Sequence, residues 1–110
     1  MLFRSGNVAG LWNIVMMYST GMINDKGLYA DAVRSLSSIA DSGNVDALRR
    51  MGNIYYDGFG FKRSYSDAFG WYEKAAKLGD QWSKQRVAEM YLIGKGVKRD
   101  TKKAAEWFVS

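Results

Sequence analysis

The chain has 110 residues, 47% hydrophobic and 25% charged, which is the size and composition of one globular domain. It contains no cysteine and no histidine, which excludes disulfides, thiol chemistry and the commonest general base and metal ligand. The net charge is +5 and concentrates in residues 56–110, which carry eleven basic and seven acidic side chains. Such a field favours a partner with an acidic surface.

The first predicted helix follows a basic residue near the start of the sequence. Arg4 precedes a fairly apolar run from Val8 to Tyr18, an arrangement that also occurs in signal peptides. Asn7, Asn13 and the missing small-residue cleavage site favour a structural helix instead. We therefore favour a cytoplasmic protein, with the periplasm as the alternative, and no segment is long and apolar enough to span a bilayer.

The sequence repeats itself every 36 residues. The first copy is looser, because its offset to the second copy is 37 up to Gly21 and 36 from Tyr29 onward. A fixed period in this range is typical of stacked arrays, in which no unit buries its apolar face alone. Residues related by the 36-residue shift are Gly43 and Gly79, Tyr55 and Tyr91, Gly58 and Gly94, Gly60 and Gly96, Ala68 and Ala104, and Trp71 and Trp107.

Each copy predicts two helices, the first of which runs from about Val45 to Asp57 in the second copy. Glycine suits the end of a helix, and a following Asn, Asp or Ser can cap the next one. We predict an all-α fold, an α/α superhelix (solenoid) of three helix-turn-helix repeats and about six helices. The repeats would occupy about residues 7–43, 44–79 and 80–110, the last one truncated, in a single domain of residues 1–110. The predicted caps are Asn7, Asn44, Ser64, Asp80 and Asp100.

The conserved spacing carries a resemblance to a known family. The pattern A…(L/M)G-x-(M/I)Y-x-x-G-x-G-(V/F), then A-x-x-W-x-x-KAA-x-x-G, resembles the Sel-one-like repeat (SLR), a longer relative of the tetratricopeptide repeat. The resemblance implies an α/α superhelix and roles as adaptors, scaffolds or inhibitors that bind other proteins. The first copy departs from the pattern. The second copy supplies Ala47, Met51, Gly52, Ile54, Tyr55, Gly58, Gly60, Ala68, Trp71, Lys74, Ala75, Ala76 and Gly79, and the third supplies Val87, Ala88, Met90, Tyr91, Gly94, Gly96, Val97, Asp100, Ala104 and Trp107.

The first helix of each copy has a face opposite its apolar stripe. If Leu48, Met51 and Tyr55 face inward, the opposite side would line the concave groove found in tetratricopeptide-like arrays. Residues on that side differ between all three copies, and several belong to types enriched at interface hot spots. We predict that this set binds a partner and name it the groove face: Trp12, Met16, Arg49, Asn53, Tyr56, Trp82, Gln85, Glu89 and Leu92.

Two tryptophans of the groove face have an alternative interpretation. Trp12 and Trp82 would instead be buried against neighbouring helices, since an isolated aromatic residue at helical spacing is often part of a core. Trp71 and Trp107 differ from them, because they occupy the packing column of the repeat itself. We expect both of these indoles in the core.

Basic residues recur in the loops within the hairpins. Lys26, Lys62 and Lys98 are equivalent under the 36-residue shift, and Arg63 is equivalent to Arg99. Stacking would align these five residues, which we name the basic edge. One interpretation is a solvated edge. The other is a surface that attracts an acidic patch of the partner and speeds association.

The leading functional hypothesis is a non-catalytic protein–protein interaction module that binds a partner through the groove. Three repeats form one short groove, and the resemblance implies small bacterial inhibitors or immunity proteins that neutralise a toxin or effector. The alternative is a structural adaptor or scaffold subunit of a signalling or envelope complex. Nucleic-acid binding is disfavoured, because the basic groups lie on loops and no recognised reader motif is present.

Catalysis, cofactors and metal sites are not expected. Without His or Cys, chemistry would need paired carboxylates, an activated Ser or a Lys. Asp80 and Asp100 are explained as helix caps, and the glycine loops follow helices rather than strands, unlike phosphate-binding loops. The sequence therefore predicts no enzyme.

The last predicted helix ends in Trp107, Phe108 and Val109, which we name the C-terminal face. Helical arrays need polar caps at both ends. We therefore expect this face to pack against another chain, as in a homo-oligomer, or the sequence to be a piece of a longer one.

Overall fold

The structure is a computed structural model that describes residues 7–60 and 62–110. These residues form six helices and no strand: α1 Val8–Ser19, α2 Lys26–Asp41, α3 Val45–Asp57, α4 Tyr65–Lys77, α5 Gln81–Ile93 and α6 Thr101–Val109. Each helix packs against the next one, and α1 also contacts α3. The predicted all-α superhelix of three hairpins is confirmed, whereas Arg4 lies outside the described residues.

The helices begin where the sequence supplies a polar cap. Each of the five predicted caps accepts a hydrogen bond from the backbone N–H of the third residue of the following helix. Asp25 caps α2 in the same way, through its Oδ1 and the Leu28 N–H at 3.0 Å. Between hairpins, Gly43 and Gly79 turn matching corners with φ of +97° and +99°. Residues with a Cβ rarely adopt a backbone conformation with such a positive φ, which explains the glycine at both corners.

The loops inside the second and third hairpins close in the same way. The Ser64 N–H donates to the Tyr55 carbonyl at 2.9 Å, and the Asp100 N–H donates to the Tyr91 carbonyl at 2.9 Å. The two donors are 36 residues apart in sequence, and so are the two acceptors. The period of the sequence is therefore also the period of the backbone hydrogen bonds. The same period therefore places equivalent side chains at equivalent points of successive hairpins.

The core consists of two clusters of buried side chains. The first includes Leu11, Leu36 and Met51 and joins α1, α2, α3 and the end of α4. The second joins α4, α5 and α6 around Tyr72 and Val87. The two tryptophans expected in the core are only partly buried and pack at the margins of these clusters: Trp71 on the first and Trp107 on the second.

The fully buried aromatic residue of α4 is Tyr72, which lies against a glycine of α3. A Cβ at Gly52 would overlap the Tyr72 ring, so only glycine allows this ring to lie flat on the α3 backbone. In the first hairpin, Val15 takes the position of Gly52 and Leu36 takes the position of Tyr72. Valine is larger than glycine, and leucine is smaller than tyrosine. Close packing of each hairpin is thus reached with a different pair of sizes.

Candidate functional site

The groove face becomes more exposed from α1 to α5. Trp12 and Met16 on α1 are partly buried, as are the three groove-face residues of α3. All four groove-face residues of α5 are exposed, and Trp82 keeps 43% of its surface accessible. The burial interpretation therefore holds in part for Trp12, whose indole contacts neighbours, and least for Trp82.

The first repeat meets the second at a small cluster on this face, which we name the first seam. The Arg50 guanidinium carbon of α3 lies 4.9 Å from the centre of the Trp12 ring of α1. Phe59, from the loop after α3, meets the same ring edge-on at 5.7 Å. Asp46, one turn before Arg50, places its Oδ1 3.4 Å from the Arg50 Nε. The positive charge of this seam therefore has an ion-pair partner within the chain, and the buried Arg50 Nε makes no hydrogen bond within the described residues.

Two groove-face residues of α3 hold neighbouring elements together. Arg49 pairs with Asp46 at 2.8 Å and with Asp80 at 2.9 Å, which ties α3 to the cap of α5. The Asn53 Oδ1 accepts a hydrogen bond from the Tyr72 hydroxyl at 2.6 Å. Burial raises the pKa of the Tyr72 phenol far above its usual value, against a smaller opposite effect of Arg86, so the hydroxyl stays protonated and donates.

The second repeat meets the third at a larger cluster, which we name the second seam. The Arg86 guanidinium carbon of α5 lies 4.5 Å from the centre of the Tyr56 ring, 4.9 Å from Trp82 and 6.0 Å from Tyr72. The Lys95 Nζ lies 5.4 Å from the centre of the Tyr56 ring. Two cations therefore share one aromatic cluster.

Sequence reasoning did not single out Arg50 or Arg86, although both were visible as a pair. They are 36 residues apart and are identical, as Tyr55 and Tyr91 are. A helical wheel sorts residues by the direction of Cβ, and it does not show that a long arginine side chain reaches an aromatic ring on the first helix of the preceding hairpin.

The five residues of the basic edge do not all occupy equivalent places. Lys62 and Arg63 lie in the loop before α4, and Lys98 and Arg99 lie in the loop before α6. The prediction of an equivalent loop position for Lys26 is wrong, because Lys26 is the first residue of α2. The extra residue of the first copy is taken up by an additional helical turn before Tyr29. All five side chains are exposed, and none forms an ion pair within the described residues.

The C-terminal face is partly open. Trp107 packs on the second core cluster, whereas Phe108 and Val109 keep 47% and 85% of their surfaces exposed. The homo-oligomer through this face stays a prediction.

Two kinds of site are not found among the described residues. No three acidic side chains there come close enough together to hold a metal ion. No helix in residues 7–60 and 62–110 has the length and apolar character needed to cross a membrane.

Stacked hairpins with a variable face of this kind define the class of α/α superhelical repeat proteins. The family model described as Sel1 repeat matches residues 45–80 and 84–109. The chain belongs to the Sel1 repeat family, as the resemblance predicted, and the Sel1 repeat fold is generally a protein–protein interaction module.

Solved structures share this architecture over nearly the whole chain. A Sel1 repeat protein from Oxalobacter formigenes is 28% identical with a TM-score of 0.73, covering 94% of this chain and 79% of its own. The second is c5321, a protective antigen present in uropathogenic Escherichia coli strains and displaying an SLR fold. It is 33% identical with a TM-score of 0.71, and the match covers 93% of this chain and 22% of that chain. Among curated protein sequences, none matches this chain.

Proposed function

We propose that this protein is a non-catalytic module that binds a partner protein through the groove face, with α5 at the centre of the contact. The observation that carries the proposal is the outward side of α5. Trp82 and Leu92 are exposed there at 43% and 42%, beside the exposed polar residues Gln85 and Glu89. Large apolar side chains that remain exposed among polar ones mark protein interfaces.

The inner side of the superhelix is the side we assign to this contact. The first helices of successive hairpins approach one another there, since α1 contacts α3 and side chains of α3 reach α5. A partner seated on this side would touch all three first helices. The matching corners at Gly43 and Gly79 support the repeat boundaries that we propose at about 7–43, 44–79 and 80–110.

The charge of the partner is the second part of the proposal. The basic edge carries five exposed cations without an acidic neighbour within ion-pair distance among the described residues. An acidic partner surface would be attracted by this edge, and the gain would appear mainly in the association rate. Raising the salt concentration from about 0.01 M to about 0.15 M shortens the range of that attraction and should slow association.

Within this role we propose a small inhibitor, of the kind that neutralises a toxin, rather than an adaptor. Three hairpins offer one short face, which suits the occlusion of one partner. An adaptor subunit needs two partners bound at the same time. Mass measurement of the purified complex separates the two, because an inhibitor forms a complex with one partner species and an adaptor forms a ternary one.

The experiment is a capture assay in lysate of the organism that encodes the protein. The bait is the wild-type chain, the double variant W82S/L92S, or the control variant L78S. Leu78 follows the last residue of α4, lies outside the groove face and is 56% exposed, so L78S removes a comparable exposed leucine elsewhere. A protein captured by the wild type and by L78S but lost with W82S/L92S supports the proposal. Equal capture by all three baits contradicts it.

A further inference from the structure

The second seam holds an arginine whose charge is not met by an acid of this chain. Arg50 and Arg86 are equivalent under the 36-residue shift, and each lies on an aromatic ring of the preceding first helix. Their surroundings differ one turn earlier. Arg50 has Asp46 there, and Arg86 has Trp82.

The consequence for Arg86 is visible in its contacts. Within residues 7–60 and 62–110, no acceptor forms a hydrogen bond with its guanidinium and no carboxylate lies within ion-pair distance. Asp57, whose charge acts on Tyr72, is among the acids that do not reach it. Contacts with aromatic rings supply no carboxylate or carbonyl oxygen, so they leave the N–H groups of the guanidinium without such acceptors.

The ligand that fits these N–H groups is a carboxylate. A guanidinium presents parallel donors that match the two oxygens of a carboxylate, and the pair is stronger when aromatic side chains exclude water around it. Lys95 adds a second positive charge beside Tyr56, with its Nζ 3.4 Å from the Tyr56 hydroxyl. The exposed apolar atoms of Trp82 and Leu92 then suit the side chains that flank an acidic residue in a protein.

We infer that the Arg86 guanidinium, held among Tyr56, Tyr72 and Trp82, binds an Asp or Glu carboxylate of the partner protein, which takes the place that Asp46 fills beside Arg50. The inference rests on the proposed function, because the carboxylate comes from the partner seated on the groove face. It adds the single contact that selects an acidic residue at one defined position of that partner.

The test is a titration of the full chain with hexaglutamate, followed by the side-chain Nε–Hε signals of the arginines in NMR spectra. The signal of Arg86 should shift with added hexaglutamate, and that of Arg50 should stay. R86Q should weaken hexaglutamate binding about tenfold, since it removes a charge-assisted pair. R50Q removes the same charge from the protein and should change the affinity less than about twofold, because Asp46 already pairs with Arg50. Equal losses for R86Q and R50Q would overturn the inference.

A second pair of variants avoids dependence on R86Q. W82D introduces an acid one turn before Arg86, at the position equivalent to Asp46. Its carboxylate should pair with the Arg86 guanidinium and so weaken hexaglutamate binding about tenfold. W82S removes the ring without adding charge and should have a smaller effect. Equal affinities for W82D and W82S would contradict the inference. Tighter binding of inorganic phosphate or of single-stranded DNA than of hexaglutamate would also overturn it, in favour of a phosphate ligand.

The outcome for the captured partner separates this inference from the proposed function. Loss of the partner with both W82S/L92S and R86Q supports both. Loss with W82S/L92S and full retention with R86Q keeps the groove face as the interface and overturns the carboxylate contact. Equal capture by every bait contradicts the proposed function itself, whereas the hexaglutamate titration still decides whether Arg86 binds a carboxylate.

Discussion

In the first seam, Arg50 lies on Trp12 and its charge is met by Asp46. In the second seam, Arg86 lies on Tyr56, and Trp82 stands where Asp46 would be. The loop residue that reaches the aromatic ring changes as well, from the apolar Phe59 to the basic Lys95. The rings come from non-equivalent positions, because Trp12 is equivalent to Arg49 and Tyr56 to Ser19. The difference teaches that the repeat places the two arginines alike, while the neighbouring side chains decide whether an acid of the chain or an outside group pairs with each one.

The largest loss of stability is expected from a change in the loop of the third hairpin, between α5 and α6. Gly96 has φ of +77°, and a Cβ there would overlap the backbone carbonyl of Tyr65. We expect G96A to lower the free energy of unfolding by about 3 kcal/mol. Alanine is strained at this positive φ, and its Cβ would also displace the backbone of Tyr65, so the two costs add. Urea denaturation followed by circular dichroism measures the loss.

The equivalent change in the first seam is the control. A Cβ at Gly60 would meet the Tyr29 ring, a side chain that can tilt, rather than backbone. G60A should therefore cost less than G96A. A G96A protein as stable as the wild type would show that the second loop does not pack on α4 as described.

Alkaline pH should weaken the contact of the first hairpin with Phe59 of the first seam through one buried tyrosine. Burial raises the pKa of Tyr29 to about 12, with smaller contributions from Tyr18 and Tyr55. Below pH 10 both the folded and the unfolded state keep this proton, so the full stability is present. Between pH 10 and about 12 the unfolded chain loses the proton first, which should lower the free energy of unfolding by about 2 kcal/mol. Urea titrations at several pH values measure this slope, and the slope of Y29F should be shallower by that amount. Identical slopes for both proteins would contradict the shift.

The hydroxyl groups of two equivalent tyrosines give a sharper comparison at neutral pH. The buried Tyr29 donates to the Phe59 carbonyl at 2.6 Å, whereas the equivalent Tyr65 accepts from Arg63 at 3.2 Å near the surface. Y29F should cost about 1 kcal/mol, because it leaves a partly buried carbonyl without this donor. Y65F should be close to neutral. Thermal unfolding of the two variants measures the difference, and equal losses would show that the two loops are held alike.

Most of the fold was readable from the sequence, because the period and the caps are local signals. The prediction of about Val45 to Asp57 for the first helix of the second copy agrees with α3, and the predicted caps begin the helices where expected. The extra turn of α2 was missed because an inserted residue can lengthen either the loop or the helix that follows it. Asp25 decides for the helix by capping it early.

The candidate site could be predicted less well, because its contacts cross the boundary between repeats. Aligning repeats compares positions in equivalent helices, whereas Arg86 acts across the boundary between two repeats, on Tyr56 and Trp82. The groove face was chosen by direction of Cβ, and direction alone does not show that Arg49 and Asn53 are already engaged by Asp80 and Tyr72. The partner-binding role of the nine residues stays a prediction.

The smallest expected effect on stability belongs to the change that should make the first seam resemble the second. D46N removes the ion pairs of Asp46 with Arg49 and Arg50, and it should cost only about 0.5 kcal/mol because these side chains are partly exposed. The same variant should leave the Arg50 guanidinium on Trp12 without its acid, as Arg86 is without one. Hexaglutamate should then shift the Nε–Hε signal of Arg50 in D46N but not in the wild type. D80N is the matched control, because it removes one acid beside Arg49 and leaves Asp46 next to Arg50. A shift of the Arg50 signal in D80N equal to that in D46N would mean that overall charge, and not the missing neighbour, opens an arginine to an outside carboxylate.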